Sequence, residues 1–188
     1  MPGRVIVAIT GASGAVYGIR ALEILCAMNI ETHLILSATA RVTITQETTY
    51  SVKDVEALAG VVYDHLDMTA AIASGSYPVH GMLVAPCSIK TLSAIANSYT
   101  ADLISRAADV CLKEARPLVL MVRETPLHRG HLSLLAKAAE MGAVIFPPVP
   151  AFYGRPQTID DLVDASVGRA LARLGIDNHA YPRWKEID

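Results

Sequence analysis

Hydroxyl, glycine and arginine residues follow the apolar runs of this chain at positions where they could bind phosphate. The first apolar run, residues 4–10, leads directly into Gly11-Ala-Ser-Gly-Ala15. A buried strand, a tight glycine turn and a helix N-terminus together form an anion site, because free N–H groups and the positive end of the helix dipole converge there. Ser13 adds a hydroxyl. The segment is neither G-x-G-x-x-G nor G-x-x-x-x-G-K-[ST], which disfavours the standard dinucleotide and nucleoside-triphosphate sites.

Three further predicted strands end in polar residues. These residues are Ser37, then Ser88 with Lys90 and Thr91, and finally Arg123 with Glu124. In a doubly wound sheet, ligands bind outside the carboxyl ends of the strands. Each residue alone could be an ordinary turn residue. Together, the four strand ends predict a polar cradle around one ligand.

The elements that must position these residues alternate along the chain. Strands are predicted at residues 4–10, 31–37, 81–85, 117–122 and 143–146, and helices at 16–28, 39–48, 51–58, 91–97, 101–115, 132–141 and 158–174. Residues 60–76 have the least regular pattern. The alternation indicates an α/β fold with a doubly wound, Rossmann-like or flavodoxin-like parallel sheet and helices on both faces. We expect a single domain over residues 1–188, with a C-terminal helix and tail from about 158 packing on it or on a neighbouring subunit.

Composition narrows the class of protein. The chain has 188 residues, of which 52% are hydrophobic. Its net charge of −2 is close to neutral, so the sequence does not predict a uniform basic face for nucleic acid. No apolar run approaches a membrane span, and no signal peptide is recognised ahead of the first strand. The cysteines, Cys26, Cys87 and Cys111, lie in apolar surroundings and are expected to be reduced thiols of a cytoplasmic protein. Positive mean hydropathy suggests apolar surface covered by self-association.

The chain resembles the UbiX-type flavin prenyltransferases, which belong to a wider group of flavoproteins that includes the peptidyl-cysteine decarboxylases. The resemblance extends over nearly the whole chain. The segments that carry it are Thr10-Gly-Ala-Ser-Gly-Ala15, Ser37, Glu47-Thr48, Ala73-Ser-Gly-Ser76, Pro86-Cys-Ser88, Thr91-Leu-Ser93, Arg106-Ala-Ala-Asp109, Leu112-Lys-Glu114, Arg116-Pro-Leu-Val119, Arg123-Glu124, Phe152-Tyr153, Asp161-Leu-Val163 and Pro182-Arg-Trp184.

This resemblance implies an enzyme that joins a dimethylallyl group to reduced flavin mononucleotide (FMN). The donor would be dimethylallyl phosphate or diphosphate, and no metal would take part. The product, prenylated flavin, would be the cofactor of a separate UbiD-type decarboxylase. The family also implies a homo-oligomer, dodecameric or built from trimers.

The family's functional residues carry over to positions of this chain. The matches to the flavin site are Gly11, Ala12, Ser13, Ser37, Ser88, Ile89, Lys90, Thr91 and Arg123. The matches to the prenyl-phosphate site are Tyr153 and Arg169, with Arg106 and Lys113 contributed by a neighbouring subunit. Glu47 and Glu124 match acidic residues near the reacting ring, so they are the expected catalytic residues together with Lys113.

The chemistry of the residues matched to the prenyl-phosphate site, and of Glu124, can also be argued from the residue types themselves. Arg106 and Lys113 are seven positions apart, so they share one helix face. They form either a solvated cationic stripe or a clamp that stabilises the charge developing on a departing phosphate. Tyr153 could donate a further hydrogen bond, whereas Arg169 could equally be a surface residue. Glu124 could form only an ion pair or could transfer a proton.

Aromatic residues could line an apolar pocket for the prenyl group. Phe152, Tyr153 and Trp184 are the candidates, with core packing as the alternative for Phe152. Two departures from the family bear on this region. Met68 stands where some members have tryptophan, which would loosen the pocket, and His131-Leu-Ser-Leu134 replaces His-Leu-Glu-Asn near the expected subunit contact.

A metal site and a nucleophilic thiol are both disfavoured. Residues 160–164 spell D-D-x-x-D, the magnesium motif of isoprenyl synthases, but here they follow Thr158 in the first turn of a helix, where the dipole favours acids. His128 and His131 lack a recognisable third ligand. Cys87 is expected to be a small buried side chain.

Two other functions stay open. A flavin-dependent decarboxylase of cysteine-type substrates would need a histidine near the second strand and its helix, whereas His33 lies within the strand and Glu47 takes the comparable place. An FMN-binding accessory subunit of an aromatic acid decarboxylase would not need Lys113, Tyr153 or Arg169. Alanine at Lys113 would separate an enzyme from a binding module.

Overall fold

Apolar, largely β-branched runs form a six-stranded sheet in the computed structural model, which describes residues 3–184. The strands are β1 (Val5–Ile9), β2 (Thr32–Leu36), β3 (Val61–Tyr63), β4 (Gly81–Cys87), β5 (Leu118–Val122) and β6 (Val144–Ile145). All are parallel, in the order β3-β2-β1-β4-β5-β6. This doubly wound order confirms the predicted fold class and reverses direction between β1 and β4.

Helices cover both faces of the sheet. They are α1 (Ala15–Ala27), α2 (Ala38–Glu47), α3 (Val52–Ala57), α4 (Ile89–Ala96), α5 (Leu103–Lys113), α6 (Arg129–Glu140) and α7 (Ile159–Arg173). The apolar side chains of α1, α2, α3 and α7 pack on one face, and those of α4, α5 and α6 pack on the other. The two groups are called here the α1 layer and the α5 layer.

The irregular stretch at residues 60–76 contains a strand that the sequence pattern does not predict. Strand β3 pairs with β2, and its partly exposed residues lie at the edge of the sheet. A short 3₁₀ helix follows at Ala71–Ala73. An edge strand this short and half-exposed shows neither a buried run nor clear alternation, which explains the omission.

Capping groups move two helix starts away from the predicted positions. Helix α6 begins before residue 132 because the His128 Nδ1 atom accepts the Gly130 N–H at 3.0 Å. Helix α5 begins at Leu103 because Asp102 and Ser105 form a capping box. Aspartate is a common cap, whereas histidine is not, so only the second start had a recognisable signal.

Helix α1 lies unusually close to the sheet at Gly18. A Cβ atom built on this glycine would lie 2.3 Å from the Ala85 carbonyl oxygen and 2.6 Å from Ile9 Cγ1. Any larger residue there would separate α1 from β1 and β4. Gly18 therefore lets the start of α1 approach the point where the strand order reverses.

An ion-pair network joins α1 to α7 within the α1 layer. The Arg20 guanidinium donates to both carboxylate oxygens of Asp164 and to Glu23 Oε2, at 2.5, 3.0 and 2.8 Å. The Tyr50 hydroxyl donates to the other oxygen of Glu23 at 2.5 Å. Arg20 and Tyr50 both lower the pKa of Glu23, although burial opposes them.

The C-terminal tail folds back on α7. The buried Asn178 amide donates to the carbonyl oxygens of Gly168 and Ile176, and its oxygen accepts the Ala180 N–H. The tail of the chain, as far as residue 184, therefore packs on its own C-terminal helix, while residues 185–188 of the predicted tail lie outside the described residues. Between residues 3 and 184 there is no helix with the length and apolar character needed to cross a membrane.

Candidate active site

Four strands end side by side at one edge of the sheet, where backbone hydrogen bonds continue past the strands. The bonds, with N···O distances of 3.1, 3.3 and 3.1 Å, run from Ser37 to Ile9, from Thr10 to Pro86 and from Arg123 to Cys87. They join the ends of β2, β1, β4 and β5 in that order. Ser37, Ser88 and Arg123 therefore lie at adjacent strand ends, as the sequence predicts.

The glycine turn after β1 opens the N-terminus of α1. Gly14 is the N-cap residue with a φ of 101°, and it offers no side-chain acceptor to the first turn. A Cβ atom at this position would also lie 2.9 Å from the Tyr17 ring. The Tyr17 N–H donates to the Gly14 carbonyl oxygen, so the N–H groups of Ala15 and Val16 are the ones left for an anion.

A second helix begins at the same edge. Ser88 caps α4, and its hydroxyl oxygen accepts the Thr91 N–H at 3.3 Å. The N–H groups of Ile89 and Lys90 have no acceptor within the helix. Ser37 caps α2 in the same way, by accepting the Ala40 N–H. The Ser37 and Ser88 hydroxyls thus belong to helix starts at the edge of the sheet where a doubly wound fold has its crevice.

The structure brings Glu47 to the glycine turn from the far end of α2. Its Oε2 atom accepts the Gly14 N–H at 2.7 Å. A carboxylate is stabilised there by the positive end of the α1 dipole. One predicted acid therefore lies directly beside the predicted flavin loop, although 33 residues separate the two in sequence.

Arg123 and Glu124 are exposed at the end of β5. Glu124 Oε1 accepts the Thr125 N–H at 3.1 Å. Burial raises the pKa of Tyr17, and the positive charge of Arg123 opposes that rise. The two side chains are therefore close enough to interact electrostatically. Tyr17 is a neighbour of the site that sequence reasoning missed. The sequence feature that could have identified Tyr17 is its position in the first turn of α1, three residues after the Gly14 N-cap.

Tyr153 and Arg169 line one groove in the α1 layer. The groove has a volume of about 740 Å³ and is also lined by Tyr181 and Trp184. The Tyr153 hydroxyl donates to the Pro182 carbonyl oxygen at 2.9 Å, and the Trp184 ring meets the Tyr153 ring edge-on. The Arg169 guanidinium lies 5.4 Å from the centre of the Tyr181 ring. Phe152 is 70% exposed, which excludes the core-packing alternative.

Gly168 allows the tail to form the wall of this groove. A Cβ atom there would lie 2.8 Å from both Asn178 Oδ1 and the Tyr181 ring. We expect Gly168→Ala to displace the tail and lower the free energy of unfolding by about 1–3 kcal/mol, because the new Cβ atom would overpack this contact. Denaturant unfolding would measure this. Unchanged stability would contradict the close packing of the tail on α7.

Arg106 and Lys113 share one face of α5, as their spacing predicts. Arg106 Nε donates to the Ala73 carbonyl oxygen at 3.0 Å. Lys113 pairs with Glu114, and both side chains lie over Gly75, where a Cβ atom would be 2.7 Å from Lys113 Nζ. Both cations therefore contact the segment at residues 73–75.

These cations do not meet Tyr153 and Arg169 within one chain. Helix α5 packs in the α5 layer and α7 in the α1 layer, so the sheet separates them. Lys113 also lies at the end of α5, just before β5 begins, and therefore toward the amino ends of the strands. A single chain thus holds the two predicted groups of phosphate-binding residues on opposite faces of the sheet.

The D-D-x-x-D acids have other partners. Asp161 forms a capping box with Thr158, and two backbone N–H groups lower the pKa of its carboxyl. Asp164 binds Arg20. The His128 and His131 rings stack with centroids 3.6 Å apart, and residues 3–184 contain no group of three potential metal ligands.

The cysteines divide into two kinds. Cys87 and Cys111 are buried, and burial raises the pKa of each thiol to about 12, whereas Cys26 is exposed, contrary to prediction. At pH 8 the two buried thiols carry almost no thiolate.

We expect iodoacetamide to modify Cys26 alone in the native protein and all three cysteines after denaturation, as measured by intact mass. Rapid native modification of Cys87 would contradict its burial.

Helix N-termini and hydroxyls at a topological switch point define a nucleotide-binding protein of the doubly wound α/β class. The chain belongs to the flavoprotein family, whose model, described as Flavoprotein, matches residues 2–171. It is 56% identical to the flavin prenyltransferase UbiX of Salmonella typhimurium, over 97% of this chain and 98% of that protein. The resemblance inferred from the sequence is therefore confirmed.

Solved structures agree with this assignment. A structure of AnUbiX (PadA1) in complex with FMN and dimethylallyl pyrophosphate superposes with a TM-score of 0.97, at 49% identity and with both chains fully covered. The dodecameric FMN-dependent UbiX-like decarboxylase of Escherichia coli O157:H7 gives a TM-score of 0.94 at 46% identity, covering 97% of this chain and 99% of that one.

Proposed function

We propose that the protein transfers a dimethylallyl group from dimethylallyl phosphate or diphosphate to reduced FMN, without a metal ion. The product is the prenylated flavin used by a UbiD-type decarboxylase. The observation that carries the proposal is the presence of two separate phosphate-binding features. One is the carboxyl edge of the sheet with its open helix N-termini, and the other is the groove that contains Tyr153 and Arg169.

The edge of the sheet suits the phosphate and ribityl chain of FMN. Helix N-termini supply N–H donors and positive potential, and Ser13, Ser37 and Ser88 supply hydroxyls. Arg123 adds a guanidinium beside them. The reduced flavin supplies a nucleophilic ring, and this chain's residues hold that ring against the prenyl donor.

The cations and the phenol act on the leaving group. The allylic C–O bond breaks with its electron pair on the phosphate, so negative charge grows on the phosphate oxygens. Arg169 from one chain, with Arg106 and Lys113 from another, stabilises that charge, and the Tyr153 hydroxyl adds a hydrogen bond when it turns from the Pro182 carbonyl oxygen to the phosphate. Fixed donors are more effective here than water because they need no reorganisation as the bond breaks.

Glu47 and Glu124 are placed to transfer protons. Glu47 lies at the glycine turn through its bond to Gly14, and Glu124 follows the phosphate-binding Arg123. Forming a bond to the flavin ring releases a proton from it, and the departing phosphate gains one. One of these groups, as a carboxylate, would accept the proton from the ring, and a group in its carboxylic acid form would donate a proton to the phosphate.

Self-association completes the site in this proposal, and a homo-oligomer follows from it. The exposed apolar side chains near the groove, among them Val149, Phe152 and Trp184, are the kind of surface that a second copy covers. A cytoplasmic location stays a prediction, supported by the three unpaired cysteines.

The cysteine-decarboxylase alternative loses its only candidate histidine. His33 is buried within β2, where its ring nitrogens contact the Tyr63 hydroxyl and Glu31, and burial lowers its pKa. It lies near the amino end of β2, whereas Ser37 marks the carboxyl end. His33 is therefore remote from the proposed flavin site.

The direct test is an anaerobic incubation with reduced FMN and dimethylallyl phosphate, followed by mass analysis of the extracted flavin. We expect a flavin heavier by one five-carbon unit, and no such product from Lys113→Ala. The diphosphate is tested in parallel. Unchanged flavin with either donor, despite tight FMN binding, would refute the transferase and favour the accessory-subunit function.

A further inference from the structure

Thr10 is a buried polar residue that connects the two sides of the switch point. It follows the last residue of β1 and is 1% exposed. Its hydroxyl donates to the Pro86 carbonyl oxygen at 2.7 Å and accepts the Ser88 N–H at 2.9 Å. Its backbone N–H also donates to Pro86, at 3.3 Å. One residue therefore makes three hydrogen bonds to the end of β4 and to Ser88, which follows it.

These bonds lie where they control the geometry of the crevice. Thr10 immediately precedes the glycine turn, and Ser88 begins the segment that starts α4. β1 and β4 are the two strands between which the sheet changes direction. The Thr10 hydroxyl therefore adds a side-chain link between the ends of two strands that the sheet already pairs, close to both helix starts.

The hydroxyl itself has little capacity left for a ligand. It donates its single hydrogen to Pro86 and accepts from Ser88. The Ser88 N–H is likewise used, so Ser88 can offer a ligand its side chain but not its backbone N–H. Thr10 would act on a ligand only through the residues that it holds.

We propose that Thr10 is a positioning residue for the flavin site, which holds the Ser88 turn at a set distance from the glycine turn. The inference rests on the proposed function in one respect, that FMN binds at this edge. It goes beyond the flavin contacts by assigning the spacing of the two helix starts to one buried side chain. Loss of the hydroxyl would leave the Ser88 N–H without its acceptor and release the turn.

The test compares three variants by FMN titration and by thermal unfolding of the ligand-free protein. Thr10→Val removes the hydroxyl at nearly constant volume, and Thr10→Ser keeps it. Thr32→Val is the matched control, because Thr32 is also buried and its hydroxyl oxygen accepts a backbone N–H, that of Gly60 at 3.2 Å. Thr32 begins β2 and so lies at the opposite end of the sheet.

We expect Thr10→Val to raise the dissociation constant for FMN by about tenfold, which corresponds to loss of one buried hydrogen bond. Thr10→Ser should stay within about threefold of the wild type, since its hydroxyl can make the same bonds. Thr32→Val should lower the melting temperature without changing FMN affinity. In turnover, Thr10→Val should raise the KM for FMN more than that for the prenyl phosphate.

Three results would overturn the inference: wild-type FMN affinity in Thr10→Val, equal loss in Thr10→Ser, or equal loss in Thr32→Val. If Thr10→Val does not fold, Thr10→Ala is measured in its place with the same expected results. Alanine also removes the hydroxyl, but it places no second methyl group against Pro86. Failure of the proposed function is a separate outcome. A wild-type protein that binds FMN but makes no prenylated flavin would refute the transferase and leave the Thr10 result interpretable.

Discussion

Subunits with Lys113→Ala and subunits with Arg169→Ala are each expected to be inactive alone and to regain prenyl transfer when assembled together. Each substitution removes a cation that the proposed function places at the leaving phosphate, so each pure variant should lose at least about 100-fold in kcat. The two residues lie in opposite layers of one chain. A complete site in a mixed oligomer can therefore take Lys113 from one variant and Arg169 from the other.

Co-expression of the two variants with different affinity tags, followed by sequential purification, would give the mixed oligomer. With random assembly, activity should reach about a quarter of the wild-type value, since each site draws its two faces from different copies. Lys53→Ala, which removes an exposed cation of α3, is the control and should keep full activity. No recovery in the mixture would mean that both cations serve the same chain, against the arrangement described above.

Gly18→Ala is expected to lower the free energy of unfolding by about 3 kcal/mol, because the new Cβ atom overpacks a close contact. The added methyl group would lie 2.3 Å from a backbone oxygen of β4, which cannot move aside as a flexible side chain could. Alanine is favoured over glycine by roughly 1 kcal/mol within a helix, so propensity alone predicts the opposite sign. The steric term is the larger one.

Denaturant unfolding with a matched variant measures this effect. Gly3→Ala adds a methyl group where nothing lies within 4 Å, and it should leave stability unchanged. FMN affinity should fall in Gly18→Ala, because α1 would be pushed away from the crevice at its N-terminus. A Gly18→Ala protein as stable as Gly3→Ala would show that α1 does not approach the sheet this closely.

The sequence predicted well which residues lie at this edge of the sheet, because the signals for their positions are local. Each of Ser13, Ser37, Ser88 and Arg123 follows a recognisable strand, and parallel strands must end at the same edge of a sheet. The face shared by Arg106 and Lys113 follows from helical periodicity in the same way. Each of these features can be recognised from a short stretch of sequence.

The features that the sequence did not reveal depend on contacts between distant segments. Which layer a helix occupies depends on strand order, so neither the separation of Lys113 from Arg169 nor the bond between Glu47 and Gly14 could be derived from spacing. Thr10 resembles any buried strand residue until its partners, Pro86 and Ser88, are known. Strand β3 is too short to carry a pattern of its own.

The backbone bonds that continue past the strands have a consequence for ligand binding. Because the N–H groups of Ser37, Thr10 and Arg123 are already committed to neighbouring strands, this edge of the sheet is organised before any ligand arrives. A ligand that binds there therefore loses little free energy to ordering of the edge. The conformational cost of binding then falls on the side chains and loops above the edge, and not on the strand ends themselves.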